Sequence, residues 1–154
     1  MIPSEWERMF PSVDGRISPR LQGDIGERAA AVWLLSRTDT SVFMPFGHSP
    51  DADLVAEMDG RLVRVQVKTS TVRINNGRYQ VSLSTRGGNR SWNGFVKRFS
   101  SARCEYLFVL VADGRQWFIP STAVDGGSQI VVGGPKYAAY EVERGRAFEV
   151  ASAS

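Results

Sequence analysis

Asp53, Gln66 and Lys68 are the residues whose types and spacing suggest chemistry. Asp53 opens the apolar run DLVAEM (53–58), Asp59-Gly60 follows, and RLVRVQVKTS (61–70) sets Gln66 and Lys68 among alternating valines. Asp-Gly between two strand-like runs is a two-residue hairpin signal. Antiparallel pairing through that turn carries Asp53, near the start of one strand, towards Gln66–Lys68 near the end of the other. A carboxylate, a carboxamide and an ammonium then meet at one end of a sheet. Phosphodiester hydrolysis needs such a set. The carboxylate holds a divalent cation, which polarises the phosphoryl oxygen and lowers the pKa of a bound water. Mg²⁺ takes hard oxygen ligands and keeps several waters. A lysine beside it orients the attacking water or stabilises charge developing on phosphorus. The same pattern also permits a plain structural reading. Leu62, Arg64, Gln66 and Lys68 share one strand face, and Val63, Val65 and Val67 share the other, as in a hairpin with valines in the core and polar residues in water.

Stepping outward from the hairpin, GDIGERAAAVWLLSR reads as a helix. Ile25, Ala29, Val32, Trp33 and Leu35 supply its apolar face. Asp24 is a candidate N-cap, and Glu27 stands at the capping-box offset. Residues 1 to about 20 read as an irregular arm punctuated by Pro3, Pro11, Gly15 and Pro19. SVFMPF (41–46) is a short strand that Pro45 places near an edge. Asn75-Asn76-Gly77 marks a turn into RYQVSLST (78–85), and residues 86–102 read as loop, or loop plus helix. YLFVLVA (106–112) is apolar almost throughout, as a central strand buried on both faces is. Asp113-Gly114 turns it into RQWFIP (115–120), Ser121 caps a short turn, and QIVV is a further strand. This order predicts a single α/β domain built around a mixed sheet, with a core of about 21–124 and a C-terminal extension, 125–154.

Charge is distributed unevenly along the 154 residues. The net charge is +3, yet Gly60 through Cys104 holds ten basic residues and no acid, leaving nine basic against all sixteen acidic residues elsewhere. Trp92, Asn89 and Asn93 lie among those bases, a pattern that predicts a phosphate-facing, nucleic-acid-binding surface. No apolar run reaches the roughly 20 residues of a membrane-spanning helix. The stretch MIPSEWERMF lacks the apolar core of a secretory signal. The lone Cys104 excludes an internal disulfide and fits a reducing cytoplasm, and with His48 as the only histidine a Cys/His zinc site is excluded. Cys104 itself reads as a small buried hydrophobe. GGPK (133–136) lacks the spacing of a phosphate loop.

Four segments in order, GDIGE (23–27), PFG (45–47), DLV (53–55) and RVQVKT (64–69), resemble the PD-(D/E)xK nuclease superfamily. The resemblance is to its group I intron-type homing endonuclease branch, in which glutamine replaces the usual second acid. YLFVLV and WFIP extend the likeness to about residue 124. The resemblance implies a restriction-endonuclease-like core, a mixed β-sheet flanked by helices. It also implies Mg²⁺- or Mn²⁺-dependent cleavage of double-stranded DNA by a cytoplasmic homodimer or homotetramer. Carried over residue by residue, Asp53 is the metal-binding acid, Gln66 takes the second acidic position, Lys68 is the catalytic lysine, and Glu27 is the helix glutamate facing the site. The backbone carbonyl of Val67 is a further metal ligand. Asp51, which follows Pro50, competes with Asp53 for the first role, and Glu27 has capping as its other reading. Arg64, Arg73, Arg86, Asn89, Arg90, Trp92, Lys97, Arg98 and Arg103 are the DNA-facing candidates. The alternative to an endonuclease is a DNA-binding protein of the same fold that Gln66 has left inactive.

Overall fold

The computed structural model describes residues 18–47, 52–86, 96–97, 99–124 and 127–145. His48, Asp51, Asn89, Arg90, Trp92 and Arg98 lie outside these residues.

Helix α1 (Pro19–Leu35), the one α-helix among the described residues, begins earlier than the sequence suggests. Its N-cap is Ser18, whose hydroxyl accepts from the Leu21 N–H at 3.1 Å, and Pro19 occupies the first turn. The serine satisfies one orphan donor and the proline has no N–H to leave orphaned, so Ser-Pro outcompetes Asp24 as a start signal. Asp24 is therefore an exposed residue inside the helix, and Glu27 is no capping residue at all. Its carboxylate is available for another task. Ile25, Ala29, Ala30, Trp33 and Leu34 form the buried face of α1.

Among the described residues eleven strands follow in chain order. The first five are β1 (Thr40–Phe43), β2 (Leu54–Met58), β3 (Arg61–Ser70), β4 (Val72–Ile74) and β5 (Arg78–Ser82). Then come β6 (Thr85–Arg86), β7 (Val96–Lys97), β8 (Tyr106–Val111), β9 (Gln116–Pro120), β10 (Gln129–Val132) and β11 (Glu141–Val142). The main sheet has the order β1-β2-β3-β8-β9-β11. Among the described strands only β3 and β8 pair in parallel, Val65 opposite Tyr106 through Ser70 opposite Val111. A second, antiparallel sheet has the order β10-β5-β4, and β6 pairs with β7. The expected hairpin forms between β2 and β3, with both Asp59 (φ 51°) and Gly60 (φ 76°) left-handed, as a two-residue turn between twisted strands requires.

Strand β8 divides the core. Phe108 and Leu110 pack with Leu54, Ala56 and Val65 under α1. Leu107, Val109 and Val111 pack on the opposite side with Tyr79, Val81, Ile130 and Val132 of the second sheet. Each such side chain, fully buried, contributes about 1.5–3 kcal/mol. The layers are therefore helix, main sheet, small sheet, which is a restriction-endonuclease-like α/β core. The residues after 126 join this body through β10 and β11, and the indole N–H of Trp33 donates to Glu143 Oε2 at 2.5 Å. Among the described residues no helix is long and apolar enough to cross a membrane.

Candidate active site

The β2–β3 ladder ends where the chemistry begins. Leu54 is paired with Val65, and one residue earlier the Asp53 N–H still donates to the Val65 carbonyl at 3.0 Å. At the next position a side chain takes over from the backbone: the Val67 N–H donates to Asp53 Oδ2 at 2.7 Å. The Asp53 carboxylate is thus fixed to β3 just before β2 begins. A strand residue points its N–H and its carbonyl to the same edge, so the Val67 carbonyl faces the same side as the Asp53 carboxylate.

Helix α1 delivers the second acid. Gly26 makes this possible, because a β-carbon there would clash with Thr69 Cγ2 and lie 3.2 Å from Val67 Cγ1. With only hydrogen at that position the helix lies directly on β3, and Glu27 reaches Asp53, to which it is hydrogen-bonded. Burial pushes the Glu27 carboxyl up to about 7, reinforced by the negative charges of Asp53 and Asp24 and by the hydrogen bond to Asp53. Like charges this close cannot both ionise cheaply.

Gln66 and Lys68 lie on the β3 face turned away from α1, and both are half-buried rather than wet. The small sheet explains this. Ser70, at the end of β3, donates to the Gln80 carbonyl of β5 and accepts from the Val72 N–H at 3.1 Å, folding the chain back over that face. Burial pushes the Lys68 ammonium below the usual lysine range, while the charge of Asp53 pulls the other way. Cys104, buried as expected, lies on the same side, with Sγ 3.6 Å from Ser121 Oγ, and burial raises its thiol.

The structure therefore gathers Glu27, Asp53, Gln66, Val67 and Lys68 at one end of the hairpin. It sends Arg64 elsewhere. The Arg64 guanidinium is forked onto Glu105, with Nη2 2.9 Å from Oε1, and also donates to the Ala102 carbonyl at 3.2 Å. Arg73 is exposed on β4 and Arg103 is exposed in the turn before β8. Arg86 and Lys97 lie in the β6–β7 ladder, where Arg86 pairs with Val96 and Thr85 with Lys97. The functional residue that sequence reasoning passed over is Gly26. Its signal was present in GDIGE, a glycine just before an acid in the middle of an otherwise good helix, where glycine costs about 1 kcal/mol relative to alanine.

The fold and the pair of acids beside a lysine define a nuclease-type architecture, and comparison with known proteins agrees. The structure is similar to that of a bacterial homing endonuclease, I-Ssp6803I, with a TM-score of 0.66 and 25% sequence identity over 81% of this chain and 89% of that chain. The family model of the PD-(D/E)XK endonucleases matches residues 17–134. The chain belongs to that family. No curated protein matches the sequence significantly.

A divalent cation suits this donor set. Among the described residues no three His, Cys, Asp or Glu side chains converge, but Mg²⁺ is commonly held by one or two carboxylates with waters completing its shell. Asp53 and Glu27 supply two carboxylates whose negative charges oppose each other, which is the crowding a cation relieves.

Proposed function

We propose that this protein is a Mg²⁺- or Mn²⁺-dependent endonuclease that hydrolyses phosphodiester bonds of double-stranded DNA, in the manner of a homing endonuclease. The observation that carries the reading is the Asp53–Glu27 carboxylate pair fixed beside half-buried Lys68. Asp53 and Glu27 would hold the metal, assisted by the Gln66 amide and the Val67 carbonyl. A divalent cation there would supply polarisation of the phosphoryl oxygen and a lowered pKa for a bound water. Lys68 lines up that water for in-line attack and offsets charge growing on phosphorus. Its burial beneath the small sheet strengthens both effects, since little bulk water screens them. Val67, locked by its bond to Asp53, keeps the lysine that follows it from drifting.

The acid-free stretch from Gly60 to Cys104 supplies the DNA-facing charge, with segment 86–103 gripping the backbone through Arg86, Arg90, Lys97 and Arg98. Asn89, Trp92, Arg73 and Arg103 are the further DNA-facing candidates. Arg64 lends its charge first to Glu105 and contributes least. Cutting both strands takes two such sites, which a symmetric homodimer or homotetramer provides. The buried thiol of Cys104 suits a reducing cytoplasm.

Nicking of supercoiled plasmid, with and without Mg²⁺, tests this. The substrate panel carries varied genomic inserts, because a rare target site would hide activity. Mg²⁺-dependent nicking that is lost in Asp53→Ala and in Lys68→Ala is expected. Salt-sensitive DNA binding without any cutting would move the chain to a non-catalytic binder of the same fold, with Gln66, one charge short of an acid, as the reason.

A further inference from the structure

The outer face of the small sheet has a chemistry that the catalytic site does not use. Along β5 the inward residues Tyr79 and Val81, and Leu83 just beyond, are buried and apolar. The outward residues Arg78, Gln80 and Ser82, and Ser84 beyond, are all polar, and Ser82 Oγ lies 3.3 Å from Ser84 Oγ. The neighbouring strand β10 adds exposed Gln129, opposite Ser82, and Val131, opposite Gln80. The Gln80 and Gln129 amides are hydrogen-bonded to each other, Nε2 to Oε1. An amide has two N–H donors and a carbonyl with two lone pairs, so one shared bond leaves both side chains with donors and acceptors to offer. Neither residues 72–82 nor residues 127–140 contain a single Asp or Glu.

Cations stand on this face and beside it. Arg78 is the outward residue that opens β5, and Lys136, in the turn after β10, lies over the Tyr137 ring at 5.7 Å. On β4, the edge strand, Val72 and Ile74 share this face opposite Gln80 and Arg78, while Arg73, opposite the inward Tyr79, belongs to the other face. Amides and hydroxyls with cations beside them is the division of labour of a surface that reads bases and anchors on phosphates.

We propose that the β5–β10 ribbon is the base-reading element of this protein, inserted into the major groove of duplex DNA with Gln80 and Gln129 reading adenine edges. The inference rests on the nuclease reading above and adds to it the part that selects sequence. The dimensions agree. β5 and β10 lie about 4.8 Å apart, so the polar half of this three-stranded sheet, whose third strand is β4, is narrow enough for the major groove, about 12 Å wide. Arg78 to Ser82 spans about 14 Å at about 3.4 Å per residue, which is about four base pairs. Glutamine is the side chain that matches adenine N6 and N7 in that groove, and an aliphatic residue such as Val131 suits a thymine methyl. The deep, narrow major groove of duplex RNA excludes the same ribbon. The reading strand is tied to the chemical strand: Ser70, two residues after Lys68, donates to the Gln80 carbonyl.

The test is selection of bound duplexes from a random DNA library, with Ca²⁺ replacing Mg²⁺ so that bound DNA is not consumed. The full-length wild type, Gln80→Ala/Gln129→Ala and Arg78→Ala/Lys136→Ala are compared, with thermal melting to check that each is folded. Wild type should select a motif. The double glutamine variant should lose preference over about four adjacent pairs while its affinity for random DNA changes less than about threefold. The double cation variant should bind every sequence more weakly, with a shallower salt dependence and the same motif. Gln129→Glu, the gentlest change, should move one position from adenine towards cytosine. A glutamine variant that selects the wild-type motif overturns the proposal. So does a wild type that selects no motif, or one that prefers duplex RNA. Plasmid nicking reports separately on the nuclease reading, so the two failures are distinguishable.

Discussion

Arg64 and Lys68 are two cations four residues apart on the same face of one strand, and the fold treats them oppositely. Arg64 lies on the uncovered part of β3, its side chain 43% exposed, and closes an ion pair with Glu105. That bond holds the Glu105 carboxyl below its ordinary range. An exposed pair of this kind is worth about 0–1 kcal/mol. Lys68 lies where the small sheet folds back over β3, loses hydration, and faces Asp53. Sequence alternation makes the two residues equivalent. The layer above them makes one a structural tie and the other a chemical group. What separates a wet hairpin face from a reactive one is the cover that tertiary structure supplies.

The largest effect expected from breaking this contrast comes from Lys68→Ala. Cleavage should fall by about 10²–10³ or more, as when one preorganised donor to a developing charge is removed, with DNA affinity within about threefold. An equal loss of binding and cutting, measured on one labelled duplex, would mean that Lys68 only anchors DNA. Gly26→Ala comes next. A methyl group there must displace Thr69 or the helix, so denaturant midpoints should report a loss of about 1–3 kcal/mol. Cutting should suffer beyond that loss because Glu27 is moved off Asp53. A variant as stable and active as wild type would show that the close approach is dispensable.

The Glu27 carboxyl yields a pH prediction for the metal-free protein. Its folded value of about 7 lies above its ordinary 4.5. Between those values the folded state keeps a proton that the unfolded chain has released. Stability must therefore fall as pH rises through that window and level off above it. Urea midpoints in chelator from pH 4.5 to 8 should show this slope in wild type and a flatter one in Glu27→Gln. Identical slopes would remove Glu27 from the pair. The smallest effect belongs to Arg64→Ala, which should cost at most about 1 kcal/mol in thermal unfolding and leave cleavage within about threefold. A large loss of cleavage would put Arg64 on the DNA rather than on Glu105.

Much of this was legible in the chain because it depends on local signals. The Asp59-Gly60 turn sets the β2–β3 register by itself, and that register carries Asp53 to Val67. The unbroken apolar run at Tyr106–Val111 announces a strand buried on both faces. The helix start was misplaced because Asp24 and Glu27 imitate a capping box, whereas Ser18-Pro19 caps the helix more effectively. That displacement answers what Glu27 does: freed from capping, it meets Asp53. The cover over Lys68 was not legible, since it depends on β4, β5 and β10 closing over β3 from segments up to about 60 residues away in sequence. The alternation of β5, polar outward and apolar inward, is visible in RYQVSLS, but only the β10 pairing sets Gln129 beside Gln80.

The central claim is that a divalent cation is held between Asp53 and Glu27, with Lys68 beside it but not coordinating it. Mn²⁺ binding followed by electron paramagnetic resonance measures this without requiring a DNA target. One ion per chain in wild type, retained in Lys68→Ala and lost or greatly weakened in Asp53→Asn and Glu27→Gln, is the predicted result. Binding that is unchanged in Asp53→Asn would contradict it, because the metal would then sit somewhere other than the end of this hairpin.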